Sequence, residues 1–348
     1  MPKIKSSKER QDPPNAVQLE LVEGCSLNCT FCGVQGIREK KGGYKYMSPE
    51  VFGQFVSALH HSMSKHKWNP RIELAMHGEP TMHPDLIKYT RRIGKLKPRE
   101  FILVTNGTGL AKNPSMVDKL AGGGITSFCL DKYEGCDFVD RFLRDYKGHI
   151  PIYDFTGPEA EKFRSNKNKK PPFIVVKGDV SDLTTPYDKV NTHCGTGCQP
   201  FRVNPSLHKR CAKPFREMSI RWDGNVALCC NDFRGIYKIG NIASFDGLDE
   251  LWQHKRFEAA RRMLYNGDRR FKPCQWCDAI SPRVGLLPDK YGRKELKAPT
   301  AATQNLIALA TSGSPYTKPV LRGWETEGNE CIPDGLSIVG LGNQSIDK

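Results

Sequence analysis

The sequence contains no long apolar run. Nothing in its 348 residues approaches the roughly 20 consecutive apolar residues that a bilayer-spanning helix needs, so no membrane span is expected. An apolar signal segment is also missing, and no internal repeat is apparent. Without such a leader, 13 cysteines read as metal ligands in a reducing interior and not as the staples of a disulfide-rich secreted fold. A cytoplasmic location is the expectation. Acidic side chains are the minority: 38 Asp and Glu against 53 Lys and Arg leave a formal charge of +15. A surplus of that size can draw a polyanion to the surface. The basic positions recur at Lys88, Arg91, Arg92, Lys95, Lys97 and Arg99, at Lys162, Arg164, Lys167, Lys169 and Lys170, and at Lys255, Arg256, Arg261, Arg262, Arg269, Arg270 and Lys272. One such cluster is ordinarily a solvated helix face or loop; their abundance is what raises a nucleic-acid partner. The 38% hydrophobic content and the length allow a substantial core and two or three domains.

Against that background three cysteines stand close together. Cys25, Cys29 and Cys32 form CSLNCTFC directly after the alternating stretch Val17-Gln18-Leu19-Glu20-Leu21. Thiolates suit a soft iron cluster, and a four-iron cube needs four ligands, so a set of three leaves one iron for an exchangeable ligand. A structural zinc knuckle or buried free thiols are the other readings of the spacing alone. Three further segments bear on the choice: MHGEPTMHPDL at 76–86, FILVTNGTG at 101–109, and Ile125-Thr126-Ser127-Phe128-Cys129-Leu130-Asp131.

Together these segments resemble the radical S-adenosylmethionine (SAM) superfamily, whose signature is CxxxCxxC after the first barrel strand. The resemblance implies that the methionyl amine and carboxylate of SAM chelate the open iron of a [4Fe-4S] cluster. Reductive cleavage of SAM then gives a 5'-deoxyadenosyl radical that takes hydrogen from the substrate. Phe31 matches the aromatic residue common before the last cysteine. Gly78, Glu79 and Pro80 match the family's GGEP segment, with His77 in place of its first glycine. Glycine there permits close approach of backbone to ligand, and the carboxylate can accept from the methionyl ammonium. Thr105 and Asn106 match the polar end of a strand that approaches SAM. Cys129 stands where a ribose-binding serine is usual, and Asp131 follows it; Cys129 is expected to pack beside the nucleoside without binding metal.

A second constellation follows. Cys211, twelve residues, Gly224, four residues and Cys229 are succeeded by Cys274-Gln275-Trp276-Cys277. Asp223-Gly224 has hairpin chemistry that brings thiols on its two arms together. This spacing resembles the opening of the SPASM auxiliary-cluster domain, as does Ile239-Gly240-Asn241-Ile242 with Leu248–Trp252. The additional cysteines of a full SPASM pattern do not follow, so the resemblance implies a shortened, twitch-type domain. Its one auxiliary [4Fe-4S] cluster is held by Cys211, Cys229, Cys274 and Cys277, with Cys230 as the substitute if the register shifts by one; zinc is the competing occupant. Cys194 and Cys198 in HCGTGC, with His193 beside them, are expected to serve local packing or a substrate loop ahead of a third metal site, and Cys136 and Cys331 carry no distinctive signal.

Probable strands at 17–23, 71–76, 101–105, 125–131, 150–155 and 172–178 alternate with helical stretches, beginning with 49–63 at Pro49, which suits a parallel sheet with crossover helices. The resemblance makes this an α/β fold: a partial (β/α)6 barrel with the cluster at the carboxyl ends of its strands, then a small α+β iron-sulfur domain and an extended C-terminal tail. The expected boundaries are a basic arm at 1–16, barrel at 17–190, bridge at 191–210, auxiliary domain at 211–297 and tail at 298–348, with Trp324 as an anchor for the tail.

The expected activity is hydrogen abstraction by a SAM-derived radical, served by a reducing donor such as flavodoxin or ferredoxin. Excess charge tilts the substrate toward a nucleic-acid base or nucleotide. The alternatives are peptide maturation, oxidation or epimerisation of a sugar or aminocyclitol, and a nonenzymatic metal-cluster protein that binds nucleic acid. Tyr133, Cys136 and Asp137 are candidates for hydrogen donor or proton base by their position after the fourth motif-bearing strand.

Overall fold

The structure is a computed structural model that describes residues 12–27, 29, 32, 34, 43–133, 135–156, 170–180, 210–277 and 300–311. Phe31, Cys194, Cys198, Trp324, Cys331, residues 191–209 of the bridge and Lys162 to Lys169 of the second basic group lie outside the described residues.

Eleven strands are described: β1 (Ala16–Leu19), β2 (Val22–Glu23), β3 (Lys45–Tyr46), β4 (Arg71–Leu74), β5 (Glu100–Thr105), β6 (Ser127–Tyr133), β7 (Ile152–Asp154), β8 (Phe173–Val180), β9 (Glu217–Ile220), β10 (Asn225–Ala227) and β11 (Lys238–Asn241). Nine of them form one sheet in the order β11-β10-β9-β1-β4-β5-β6-β8-β7, and β2 pairs with β3 separately. The six strands from β1 to β7 in that order are all parallel. The last two are transposed relative to the chain, β8 pairing with β6 and leaving β7 at the edge.

Residues of period two build the core. Val17 and Leu19, Ile72 and Leu74, Phe101 and Leu103, Phe128 and Leu130, and Ile174 and Val176 are buried, and they share one cluster with Phe52, Phe55, Leu59, Tyr89, Ile93, Leu120 and Phe142 from the crossover helices. The opposite face of the sheet is polar. Ser219 Oγ donates to Gln18 Oε1 at 3.2 Å, Gln18 Nε2 donates to Glu73 Oε2 at 2.9 Å, and Arg71 pairs with Glu73 Oε1 at 2.6 Å. The first long helix, Pro49–His66, starts where local chemistry directs: Ser48 Oγ accepts from Val51 N at 3.3 Å, and Pro49 supplies a fixed φ at the first position. No described helix is long and apolar enough to cross a membrane.

The barrel and the segment after it are not separated in the sheet. β9 runs parallel to β1, with Ala16 opposite Glu217 and Leu19 opposite Ile220, and so continues the barrel sheet past its first strand. An unpaired β1 edge would expose a row of backbone donors and acceptors; β9 satisfies them, and β10 and β11 extend it as an antiparallel hairpin and a further strand. The tail departs from its expected extended form over the residues described. Ala301–Thr311 is a helix, since its Ala, Leu and Gln favour one, and Thr303, Ile307 and Ala310 are buried along a single face. Gln304 Nε2 reaches Met263 Sδ at 3.7 Å. The end of the N-terminal arm is likewise docked, with Trp68 and Trp252 indoles donating to the carbonyls of Pro14 and Asp12.

A polar clasp joins the first helix to Leu248–Trp252. Ser62 Oγ donates to Asp249 Oδ1 at 2.8 Å, Asp249 N donates back to Ser62 Oγ at 3.1 Å, and His66 Nε2 lies 2.7 Å from Asp249 Oδ2. Burial opposes ionisation of Asp249, but the hydrogen bonds from Ser62 and His66 and the charges of His66 and Lys65 outweigh it and hold the carboxyl below its ordinary value. Its contribution is therefore complete above the usual carboxylate range and is lost as pH falls through the lowered value. Urea unfolding of Ser62→Ala, Asp249→Ala and the double variant at pH 7.5 is expected to give a coupling energy of about 1–2 kcal/mol. Additivity of the two single losses would show that the clasp carries no such energy.

Candidate active site

The first cysteine loop is held by close contact between two chain segments. β2 leads into Gly24, which forms an isolated parallel bridge with Gly78, and Glu79 N donates to Gly24 O at 2.9 Å. A Cβ on Gly78 would stand 1.9 Å from Val22 O and 2.6 Å from Gly24 O. The glycine expected to admit a ligand therefore admits backbone. Just before it, Met76 takes a positive φ of 91°, a strained conformation for a residue with a side chain.

Above this contact lies a cleft, open on one side, lined by Cys25, Cys29, Cys32, His77, Gly78, Glu79, Thr105, Asn106, Asp131 and Tyr133. Residues from four separated segments thus meet at the carboxyl ends of β1, β4, β5 and β6. Pro80 opens the short turn Pro80–Met82 behind the cleft, and Cys129 is buried in β6, its thiol 3.9 Å from Asp131 Oδ1. Of Tyr133, Cys136 and Asp137, Tyr133 lines the cleft, whereas Asp137 precedes the helix Phe138–Asp145.

Glu79 organises the cleft from beneath. Its Oε1 accepts from Thr81 N at 3.0 Å, Thr81 Oγ1 at 2.5 Å and Thr105 Oγ1 at 2.6 Å, while Oε2 accepts from Asn106 N at 2.8 Å. Burial pushes this carboxyl up, and those hydrogen bonds oppose the rise. Oε1 is fully committed to the protein, so only Oε2 keeps capacity for a further donor. Asn106 serves a thiol: its Nδ2 donates to Cys25 Sγ at 3.2 Å, and Leu27 N approaches the same sulfur at 3.4 Å. Such donors are the usual neighbours of cluster-ligating sulfurs. The Cys29 thiol is pushed up to about 12 by burial and then by the charges of Cys32 and Cys25. Three mutually repelling thiolates in one buried place fit a cationic iron-sulfur core, which would remove that repulsion. Burial lifts Asp131 to about 6, with Lys177 opposing and Glu79 adding to the rise, and lifts Cys129 to about 11.

His77 does more than stand in for a glycine. Its Nε2 donates to Cys230 O at 2.7 Å, its Nδ1 lies 3.1 Å from Glu20 Oε1, and its ring packs against Phe233 at 4.1 Å between centroids. Glu20 and Glu23 in turn pair with Arg221. The cleft loop is thereby tied to the chain beside the second set of thiols.

That second set gathers as the spacing predicts. Gly224, at φ 79°, turns β9 into β10, and the short turn Cys274–Trp276 closes with Cys277 N on Cys274 O at 3.1 Å. Burial raises the Cys211 and Cys274 thiols, the charges of Cys229 and Cys277 raise both further, and that of Cys211 adds to the rise at Cys274. Cys230 has Lys213 Nζ 3.1 Å from its sulfur, the same ammonium lying 3.3 Å from Glu217 Oε2. Among the described residues, no group of three or more His, Cys, Asp or Glu side chains has the geometry to hold a single metal ion.

Two basic residues counted with the charged surface do not belong there. Arg261 and Arg269 are each 2% exposed. Arg261 lies over the rings of Trp252 and Phe257 and donates to Pro214 O and Trp252 O. Arg269 Nη2 donates to Arg210 O at 3.4 Å. Sequence reasoning also missed the roles of Asn106 toward Cys25 and of Lys213 toward Cys230; both depend on contacts between residues far apart in the chain.

Replacement of Gly78 by Ala is expected to cost about 1–3 kcal/mol, because its new methyl meets backbone that cannot yield cheaply. Gly53→Ala, where a Cβ meets nothing within 4 Å inside the first helix, is expected to add up to about 1 kcal/mol of stability. Urea midpoints of the two variants give the comparison, and equal midpoints would overturn the packing assignment.

Comparison with known proteins agrees with this geometry. Residues 19–149 match the model of the radical SAM superfamily, and residues 211–278 match that of SPASM, an iron-sulfur cluster-binding domain. The crystal structure of BtrN in complex with AdoMet and 2-DOIA is similar at 20% identity and TM-score 0.58, covering 78% of this chain and 95% of that one. BtrN in an open conformation is similar at 18% identity and TM-score 0.54, covering 78% and 96%. No curated protein sequence matches the chain significantly. A thiol-lined cleft at the strand ends and a second thiol group on the same sheet, matched by these two models, make this chain a member of the radical SAM superfamily, with an enzymatic radical SAM domain followed by a SPASM-type iron-sulfur domain.

Proposed function

We propose that this enzyme oxidises or epimerises a small polar substrate of the sugar or aminocyclitol class. The carrying observation is the cleft: one recess at the strand ends, lined by Cys25, Cys29, Cys32, Glu79, Thr105, Asn106 and Asp131, must hold a cluster, SAM and substrate together, which suits a small polar substrate. The likeness to a protein solved with AdoMet and 2-DOIA, spanning 95% of its length, supports the same reading at the level of fold. A nucleic-acid substrate rested on surface charge, and burial of Arg261 and Arg269 weakens that argument.

In this reading Cys25, Cys29 and Cys32 hold the SAM-binding [4Fe-4S] cluster, and Cys211, Cys229, Cys274 and Cys277 hold one auxiliary cluster. When bound, the first cluster and SAM supply the 5'-deoxyadenosyl radical for hydrogen abstraction, with reducing electrons from a flavodoxin- or ferredoxin-like donor. Glu79 fixes Thr105 and Asn106 at the rim and keeps Oε2 available for the methionyl ammonium. Asn106 holds Cys25 in place. His77 anchors the Gly78 loop to the auxiliary side. Asp131, ionised above about 6, accepts from a ribose hydroxyl, with Cys129 packed behind it.

Anaerobic incubation with SAM and reductant should release 5'-deoxyadenosine faster with an amino sugar or aminocyclitol than with duplex DNA or a peptide. Stimulation confined to DNA, with salt-sensitive binding, would reverse the substrate assignment. SAM affinity is expected to weaken as pH falls through about 6. Asp131→Asn should weaken it about tenfold or more at pH 7.5 and flatten the pH profile; an unchanged profile in that variant would remove Asp131 from the SAM site.

A further inference from the structure

Among the described residues, three that carry side chains have φ in the left-handed region: Lys67 at 49°, Lys97 at 53° and Met76 at 91°. The two lysines stand close to the ordinary left-handed helical value, Lys67 as the cap of the helix Pro49–His66 and Lys97 just past the helix Leu86–Gly94. Met76 caps no helix; it lies between β4 and the Gly78 contact and lines the cleft. A strained backbone persists only where its surroundings hold it, and the next residue supplies the hold. His77 is 1% exposed, and a carbonyl can only accept, so its Nε2 carries the proton donated to Cys230 O at 2.7 Å. Its Nδ1 lies 3.1 Å from the fully buried carboxylate of Glu20, and its ring packs on Phe233. The segment it grips is itself fixed. Asp232 N donates to Cys229 O at 3.1 Å, the Asp232 carboxylate accepts from Ile236 N and Tyr237 N, and Arg221 Nη1 donates to Phe233 O at 2.7 Å.

We propose that His77 is a positioning residue for SAM, holding Met76 in its left-handed conformation by anchoring the cleft loop to the segment at residues 229–233. The inference rests on the reading of the cleft as the SAM site. Met76 and His77 lead directly into Gly78 and Glu79, so the direction in which the chain leaves Met76 sets where Glu79 Oε2 stands and how Gly78 meets Gly24 beside the first thiol loop. A glycine at position 77 would leave that direction free, because it has no side chain to grip Cys230 O, Glu20 and Phe233. None of residues 229–233 lines the cleft. Whatever steadies the loop around SAM nevertheless steadies His77, and through it the carbonyl of Cys230. Linkage makes the dependence mutual: SAM bound in the cleft orders residues 229–233, and loss of the anchor weakens SAM.

The test uses the full chain reconstituted anaerobically with iron and sulfide, with iron content checked for every variant and SAM binding read by equilibrium dialysis. His77→Gly is expected to weaken SAM about tenfold or more, and His77→Gln, whose amide can donate to the same carbonyl, to stay within about threefold of the parent. Met76→Gly takes the left-handed conformation freely, so in that background His77→Gly is expected to cost less SAM affinity than it does in the parent. Equal losses in the two backgrounds, or equal losses in His77→Gly and His77→Gln, would overturn the proposal. A measurement on the parent itself decides the matter if the glycine variants fail to hold iron. Saturating SAM is expected to slow amide hydrogen exchange in the peptide spanning residues 229–237 about twofold or more, and exchange that SAM leaves unchanged would overturn the proposal. Failure of the parent to bind SAM at all would instead overturn the reading of the cleft on which the proposal stands.

Discussion

The close contact of Gly78 with the carbonyls of Val22 and Gly24 is the constraint on which the site depends. It brings the turn after β4 against the end of β2, where Cys25 begins its loop, and it leaves no room for a side chain between them. Once the two segments are held together, Glu79 can reach both Thr105 and Asn106, and Asn106 can reach the Cys25 sulfur. One backbone contact thus fixes donors and ligands from three strands relative to one another. His77, next to that contact, carries the restraint outward to Cys230 and the second thiol group.

The second organising feature is the burial of charge. Each thiol group gathers sulfurs whose ionisation is opposed by burial and by one another. A cationic core relieves that opposition in both, but the protein treats the two groups differently. Around the first it supplies neutral donors, Asn106 and Leu27 N. Beside the second it buries a full positive charge, Arg269.

The continuous sheet explains how the two groups stay in register. β9 gives β1 a parallel partner on its free edge, so the segment carrying Cys211 and Cys229 is joined to the barrel by the same ladder that orders the barrel itself. A reading by domains, with a break at residue 210, passes over this pairing because hydrogen bonds between strands 200 residues apart leave no mark in local sequence. The transposition of β7 and β8 is hidden for the same reason. The helix at Ala301–Thr311 was legible in its Ala, Leu and Gln content, but the Gly-, Ser- and Pro-rich character of the longer tail obscured it.

Both thiol constellations, the GEP and TNG segments and the alternating strands could be read directly, because they depend on residue type and short spacing. What spacing could not decide is which polar groups face which. Whether Arg269 lies on a basic surface or beside three thiols, whether Gly78 makes room for a ligand or for backbone, and whether His77 merely replaces a glycine or ties two sites together are matters of long-range contact. Sequence by itself determined the chemistry available to this protein, since side-chain donors and their local spacing are written in order along the chain. Tertiary structure alone decided the electrostatics and mutual placement of the sites, since both arise from groups that only folding brings within a few ångströms.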